Sequence, residues 1–259
     1  MGWRIDRITL SALAAAGALS AMAVPATIKT SADVMSGDVK WQAGSKTYAL
    51  TKGSITREYA LSDIVKLDVV KPQTLDRAIQ MVKRGQAGAA IPILTNLMKD
   101  YRMLTWDKVA CRYLTEAYIK TGNPQKAYDA ANVVINDDKS AAWKGELAPA
   151  FWQALLKLGK KNALEACLDK AASSGSRMAS AHALVMRGDM MLDAEGNTPD
   201  VNRRALKDAY LRVALMYQDP ECAAARLEAL EKGAKCFYEI GMRERAEAFR
   251  KKAASLAKQ

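Results

Sequence analysis

His182 is the only histidine among 259 residues. A triad or a Cys/His dyad needs a nucleophile, a base and an orienting partner, and His182 has no evident companion for such work. Four cysteines, Cys111, Cys167, Cys222 and Cys236, are widely spaced and form no CxxC or Cys/His pattern, so neither a zinc nor a redox centre is expected. All four fall beside Ala or Leu in helical patterns, which suits small buried packing residues. On one helix, Cys222 and Cys236 stand about 21 Å apart, far beyond disulfide reach. Gly85-Gln86-Ala87-Gly88 lacks the Lys-Ser/Thr of a phosphate-binding loop. Asp137-Asp138 and the pair Asp193/Glu195 supply too few oxygens for calcium and read as helix-end punctuation. No catalytic residue, metal or cofactor is therefore expected, and the chain reads as non-enzymatic.

The glycines carry a stronger signal. Gly85, Gly122, Gly159 and Gly196 recur every 37 residues, and Gly241 follows at 45. Four residues before each stands a large apolar side chain: Met81, Tyr118, Leu155, Leu192 and Phe237. Five residues after each stands Ala90, Ala127, Leu164, Val201 or Ala246. A fixed period with helical spacing inside it marks a helical repeat array. Such arrays bury each helix pair against the next and leave a long surface free for a partner.

The N-terminus has the layout of a signal peptide. Arg4 and Arg7 precede an uncharged run from Ile8 to Val24. Small residues offer two exits, Ala21-Met22-Ala23 or Val24-Pro25-Ala26, and residues 1–26 are assigned to the signal. Export to the periplasm or secretion is expected, with an uncleaved anchor as the alternative; no cysteine near the exit suggests lipid attachment. Residues 27–36 read as a linker. Residues 37–71 alternate: Val39 and Trp41, Tyr48 and Leu50, then Ile55 to Leu61, then Val65, Leu67 and Val69, with turns at Ala43-Gly44-Ser45 and Lys52-Gly53. Period-two runs separated by glycine turns predict a small meander of about four strands. It is too small to stand alone and is expected to pack on the first helices. From residue 72 to 259 the period is helical, and five pairs are predicted: 72–84 with 89–101, 106–121 with 124–136, 146–158 with 162–173, 178–192 with 200–217, and 220–240 with 243–256.

These residues resemble the tetratricopeptide-repeat (TPR) family. Leu114, Tyr118, Gly122, Ala127, Ala131 and Val134 match its spacing, as do Ala234, Phe237, Gly241, Ala246 and Ala253. Departures are the period of 37 rather than about 34, Trp152 at a small-residue position, Arg250 at an apolar one, and a fourth unit that aligns through either Gly188 or Gly196. The resemblance implies a mainly α fold, an α-α superhelical solenoid of about five pairs. It also implies that the first helix of each pair lines a concave face. By position this puts Arg112, Glu116, Gln153 and Lys235 inward, with Asp189 in one of the two registers. These are the candidate partner-binding residues.

The net charge of +11 fits an anionic partner such as an envelope polymer or lipid headgroups, or a plain solvated surface. The C-terminal run of Arg243, Arg245, Arg250, Lys251, Lys252 and Lys258 has no interleaved aromatics, so nucleic acid is not expected. The function expected is an exported scaffold of the cell envelope that binds a protein or peptide. The alternatives are a self-associating structural component, or an accessory protein that docks on anionic envelope material.

Overall fold

The computed structural model describes residues 23–258. Most of the expected signal segment lies outside them. Five antiparallel strands come first: β1 Val24–Thr30, β2 Val34–Gln42, β3 Thr47–Lys52, β4 Ile55–Ala60 and β5 Ile64–Val69, in the sheet order β4-β3-β2-β1-β5. The expected meander is thus one strand short, and the expected linker at 27–36 is the second half of β1 and the start of β2. Val24, Ala26 and Ile28 alternate inward and are buried. Their alternation is hidden in the sequence because small residues and Pro25 also suit a signal-peptide exit. Pro25 is tolerated one residue into the strand, before the pairing with β5 begins at Ala26.

β4 and β5 are consecutive, yet they occupy opposite edges, joined only by a single turn at Leu61–Asp63. In a flat sheet those edges would lie about 19 Å apart at four strand spacings. The link from Ala60 to Ile64 reaches at most about 14 Å. The sheet therefore curls toward a small barrel. Gly37 leaves no room for a side chain, since a Cβ there would lie 2.4 Å from the Thr51 carbonyl oxygen.

The barrel is not independent of the helices. Leu104, from the loop between the second and third helices, is buried among Val24, Ile28, Val39, Tyr48 and Leu50. The Tyr48 hydroxyl donates to the Met103 carbonyl at 2.8 Å, and the Trp106 indole donates to the Val69 carbonyl at 3.0 Å. Asp107 accepts from the Met103 and Lys108 amides at 2.7 and 2.8 Å and so fixes the loop.

The helices are α1 Gln73–Lys83, α2 Ala87–Asp100, α3 Trp106–Lys120, α4 Pro124–Asp137, α5 Leu147–Lys157, α6 Lys161–Ser173, α7 Arg177–Glu195, α8 Pro199–Ala205, α9 Leu211–Met216, α10 Ala223–Glu239 and α11 Arg243–Leu256. A π turn, Leu206–Tyr210, joins α8 to α9 into one interrupted helix. Each predicted helix is present, with ends shifted by a few residues. All five periodic glycines terminate the first helix of a pair at positive φ, where glycine alone is unstrained. In four cases the next residue donates its N–H to the carbonyl of Met81, Tyr118, Leu155 or Phe237, at 2.8, 2.8, 2.9 and 2.8 Å. This is the six-to-one bond of a Schellman stop. The large apolar residue four before each glycine therefore marks the acceptor of that bond. The fourth unit differs: Gly196 itself donates to Leu192.

α1, α3, α5, α7 and α10 lie side by side in that order, with the second helices of the pairs packed against them. Trp152, expected at odds with its position, is wholly buried and donates its indole N–H to the Ala142 carbonyl at 2.8 Å. Arg250 stays exposed over the Tyr238 ring while Ala246, Phe249 and Ala253 turn inward.

Candidate binding cleft

Where α3, α5, α7 and the start of α10 converge, they leave a cleft of about 740 Å³. This falls within the range of about 300–1,000 Å³ usual for ligand sites. Its apolar wall comes from Ile119, Pro149, Ala150, Met178, Val185 and Met186, continued by Pro220, Ala223 and Ala224.

The polar side is held by two networks. On α3, Arg112 donates from Nε to Glu116 Oε1 and from Nη1 to Glu146 Oε2, both at 3.1 Å. The first pair spans one helical turn; the second ties α3 to the start of α5. Deeper, Asp189 on α7 gathers three donors. Gln153 Nε2 reaches it at 2.9 Å, the Tyr210 hydroxyl at 2.8 Å, and the Lys232 ammonium directly. Lys232 also binds Glu228 Oε1 at 2.5 Å. Burial opposes the charge of Lys232, but Glu228 and Asp189 hold its pKa above the ordinary value. Burial, and then the Asp189 charge, push the Tyr210 phenol upward, so it stays a donor.

Local sequence explains why Tyr210 arrives there. The π turn inserts extra backbone into the fourth pair and carries Tyr210 onto α7. Gly188 makes room: a Cβ would lie 2.7 Å from the Tyr210 ring. The two glycines that compete for the repeat register thus have separate tasks. Gly196 ends α7, and Gly188 admits Tyr210 to Asp189.

His182 lines the cleft on α7 with its side chain 14% exposed, and Nδ1 has no hydrogen-bond partner. Glu228 Oε2 stands 4.0 Å away. Burial holds the imidazole pKa below its ordinary value; Glu228 opposes this, and Arg112 and Lys232 add to it. His182 is therefore neutral at pH 7, with an unused ring nitrogen at the cleft wall.

Of the five residues expected to face inward, Arg112, Glu116 and Gln153 line the cleft, and Asp189 anchors its floor through Gln153. Lys235 does not join them: it is solvent-exposed on α10. Lys232, three residues earlier, takes the inward place. Glu116, Gln153 and Lys235 all stand six residues before their turn glycine. α10 is longer than α3 and α5 and starts beyond the interrupted helix, so its inward face falls nine residues before Gly241. Glu228 and Lys232, an i,i+4 acid–base pair like Arg112 and Glu116, were the sequence signal for that face. No group of residues among those described could hold a metal ion. The described cysteines are all free, and burial raises their pKa values, Cys111 to about 12 and Cys236 to about 11.

Comparison with family models, with curated proteins and with solved structures found no match for this chain.

Proposed function

We propose that this chain is a non-enzymatic, TPR-like binding scaffold that holds a segment of a partner protein in the cleft between α3, α5, α7 and α10. The observation that carries the reading is the cleft itself: an apolar wall faced by polar side chains already fixed to one another, which a ligand meets preorganised. The side-by-side first helices and the shared glycine stops support a superhelical, TPR-like array. The barrel caps its N-terminal end through Leu104.

The signal-peptide layout of the sequence speaks for an envelope partner. Of the two exits for a signal peptide, cleavage after Ala23 leaves β1 whole, whereas cleavage after Ala26 removes the buried Val24 from the strand that pairs with both β2 and β5. The mature chain is expected to begin at Val24; an intact mass corresponding to Thr27 would refute this.

The test of the scaffold role is affinity capture from an envelope fraction, comparing the wild type with Ala224→Trp, which fills the cleft from its exposed rim. A discrete protein retained at high salt by the wild type and lost with the variant supports it. Capture of the same material by both refutes the cleft. Retention only at low salt, of polymer or lipid, favours the other role, docking on an anionic surface. The exposed Arg243, Arg245, Lys251 and Lys252 on α11 speak for that second reading.

A further inference from the structure

The chain carries a net charge of +11, yet its cleft has the opposite balance. Four carboxylates line it, Glu116, Glu146, Glu221 and Glu228, against three cations, Arg112, Lys120 and Lys232. Asp189 lies beneath them. The cations are all engaged within the protein. Arg112 is bound by Glu116 and Glu146. Lys232 is bound by Asp189 and Glu228. Lys120 donates to the Val82 carbonyl at the end of α1, at 2.9 Å. Arg112 and Lys232 are thus each held by two carboxylates with which an incoming anion would compete, and Lys120, exposed at the edge of the cleft, is its one cation without a carboxylate partner among the described residues. Among the acids, Glu221 is exposed at the rim with no ion pair among the described residues, and Glu228 keeps its second oxygen toward His182.

His182 points the same way independently. Its buried Nδ1 lacks a partner, and a buried polar atom left unsatisfied is unfavourable until something pairs with it. Glu228 Oε2 stands 4.0 Å from it, so a ligand N–H that opens the gap between α7 and α10 would find both groups together.

From these two observations we infer that the cleft selects a peptide segment with a lysine or arginine side chain set among apolar residues, the cation lodged between Glu221, Glu228 and His182 and the apolar residues along Met178, Val185, Pro149 and Ala150. This rests on the peptide-binding reading above and adds its charge preference. An anionic peptide is disfavoured in the cleft by the same balance, whatever the outer surface of the molecule attracts.

The experiment is selection from a random heptapeptide library on the full mature protein, on Ala224→Trp, and on the double variant Glu221→Gln/Glu228→Gln, each checked for an unchanged melting profile. Gln keeps the hydrogen-bonding shape of Glu while removing its charge. Lys and Arg are expected to be enriched among wild-type binders, and a selected peptide should lose about two- to fivefold in affinity for the double variant, the size of one partly exposed ion pair. Enrichment of Asp or Glu would overturn the inference. Apolar peptides that bind the wild type and the double variant equally would also overturn it, while leaving the peptide cleft standing. Peptides that bind Ala224→Trp as well as the wild type would remove the cleft itself and the scaffold reading with it.

Discussion

His182 shows what one side chain does in a partly closed array. Its ring faces Glu228 and Lys232 on α10 and feels Arg112 on α3, and burial keeps its pKa below the ordinary 6.5. The unfolded chain therefore binds a proton that the folded chain resists. The resulting contribution to stability is complete above pH 6.5 and is lost as pH falls below it toward the lowered folded value. Replacing His182 with Gln should flatten the fall in stability as pH drops below about 6.5, where the slope from one such group is at most about 1.4 kcal/mol per pH unit. Urea midpoints at three pH values for both proteins would check this; identical slopes would mean that the imidazole titrates as if exposed. The sequence alone could not place His182 at a cleft. A lone histidine in an alanine-rich helix looks the same whether it packs or lines a wall, and what decides it is the position of α10, some 45 residues downstream.

At the scale of elements, the helices were legible and the first strand was not. Five glycines at one offset from a large apolar residue encode a backbone hydrogen bond, a local event that needs no knowledge of distant contacts. β1 is specified by pairing with β2 and β5, the second of them about 40 residues away, and its short alternation competes with a second, equally physical use of small residues at a cleavage site. The link between barrel and array was likewise invisible. Met103 and Thr105 hold left-handed backbone conformations on either side of Leu104, so the loop presents that one side chain into the barrel. Leu104→Ala should cost about 2–5 kcal/mol, the usual range for a buried leucine. The loss should appear as weakened hydrogen-exchange protection in β1, β2 and β3 as well as in the α2–α3 loop. Unchanged protection in the strands would mean that the barrel holds itself together without the array.

At the scale of the molecule, the opposed charges of surface and cleft make a kinetic prediction. A peptide with a lysine or arginine approaches a protein of net charge +11 and is repelled at long range, then is attracted once inside the acidic cleft. Salt screens the first interaction more than the second, because charges separated by more than a Debye length, about 8 Å at physiological ionic strength, are the ones most fully screened. Raising the salt from about 20 to about 150 mM should therefore increase the association rate constant by a few-fold, the reverse of electrostatically steered pairs. The dissociation rate should rise as well, since the short-range pairs with Glu221 and Glu228 weaken. Stopped-flow fluorescence with a labelled cationic peptide separates the two rates, and Glu221→Gln/Glu228→Gln should remove the salt effect on dissociation while keeping that on association. An association rate that falls with salt would mean that the basic exterior steers the partner, and would place the recognised charge on the outer face of the array.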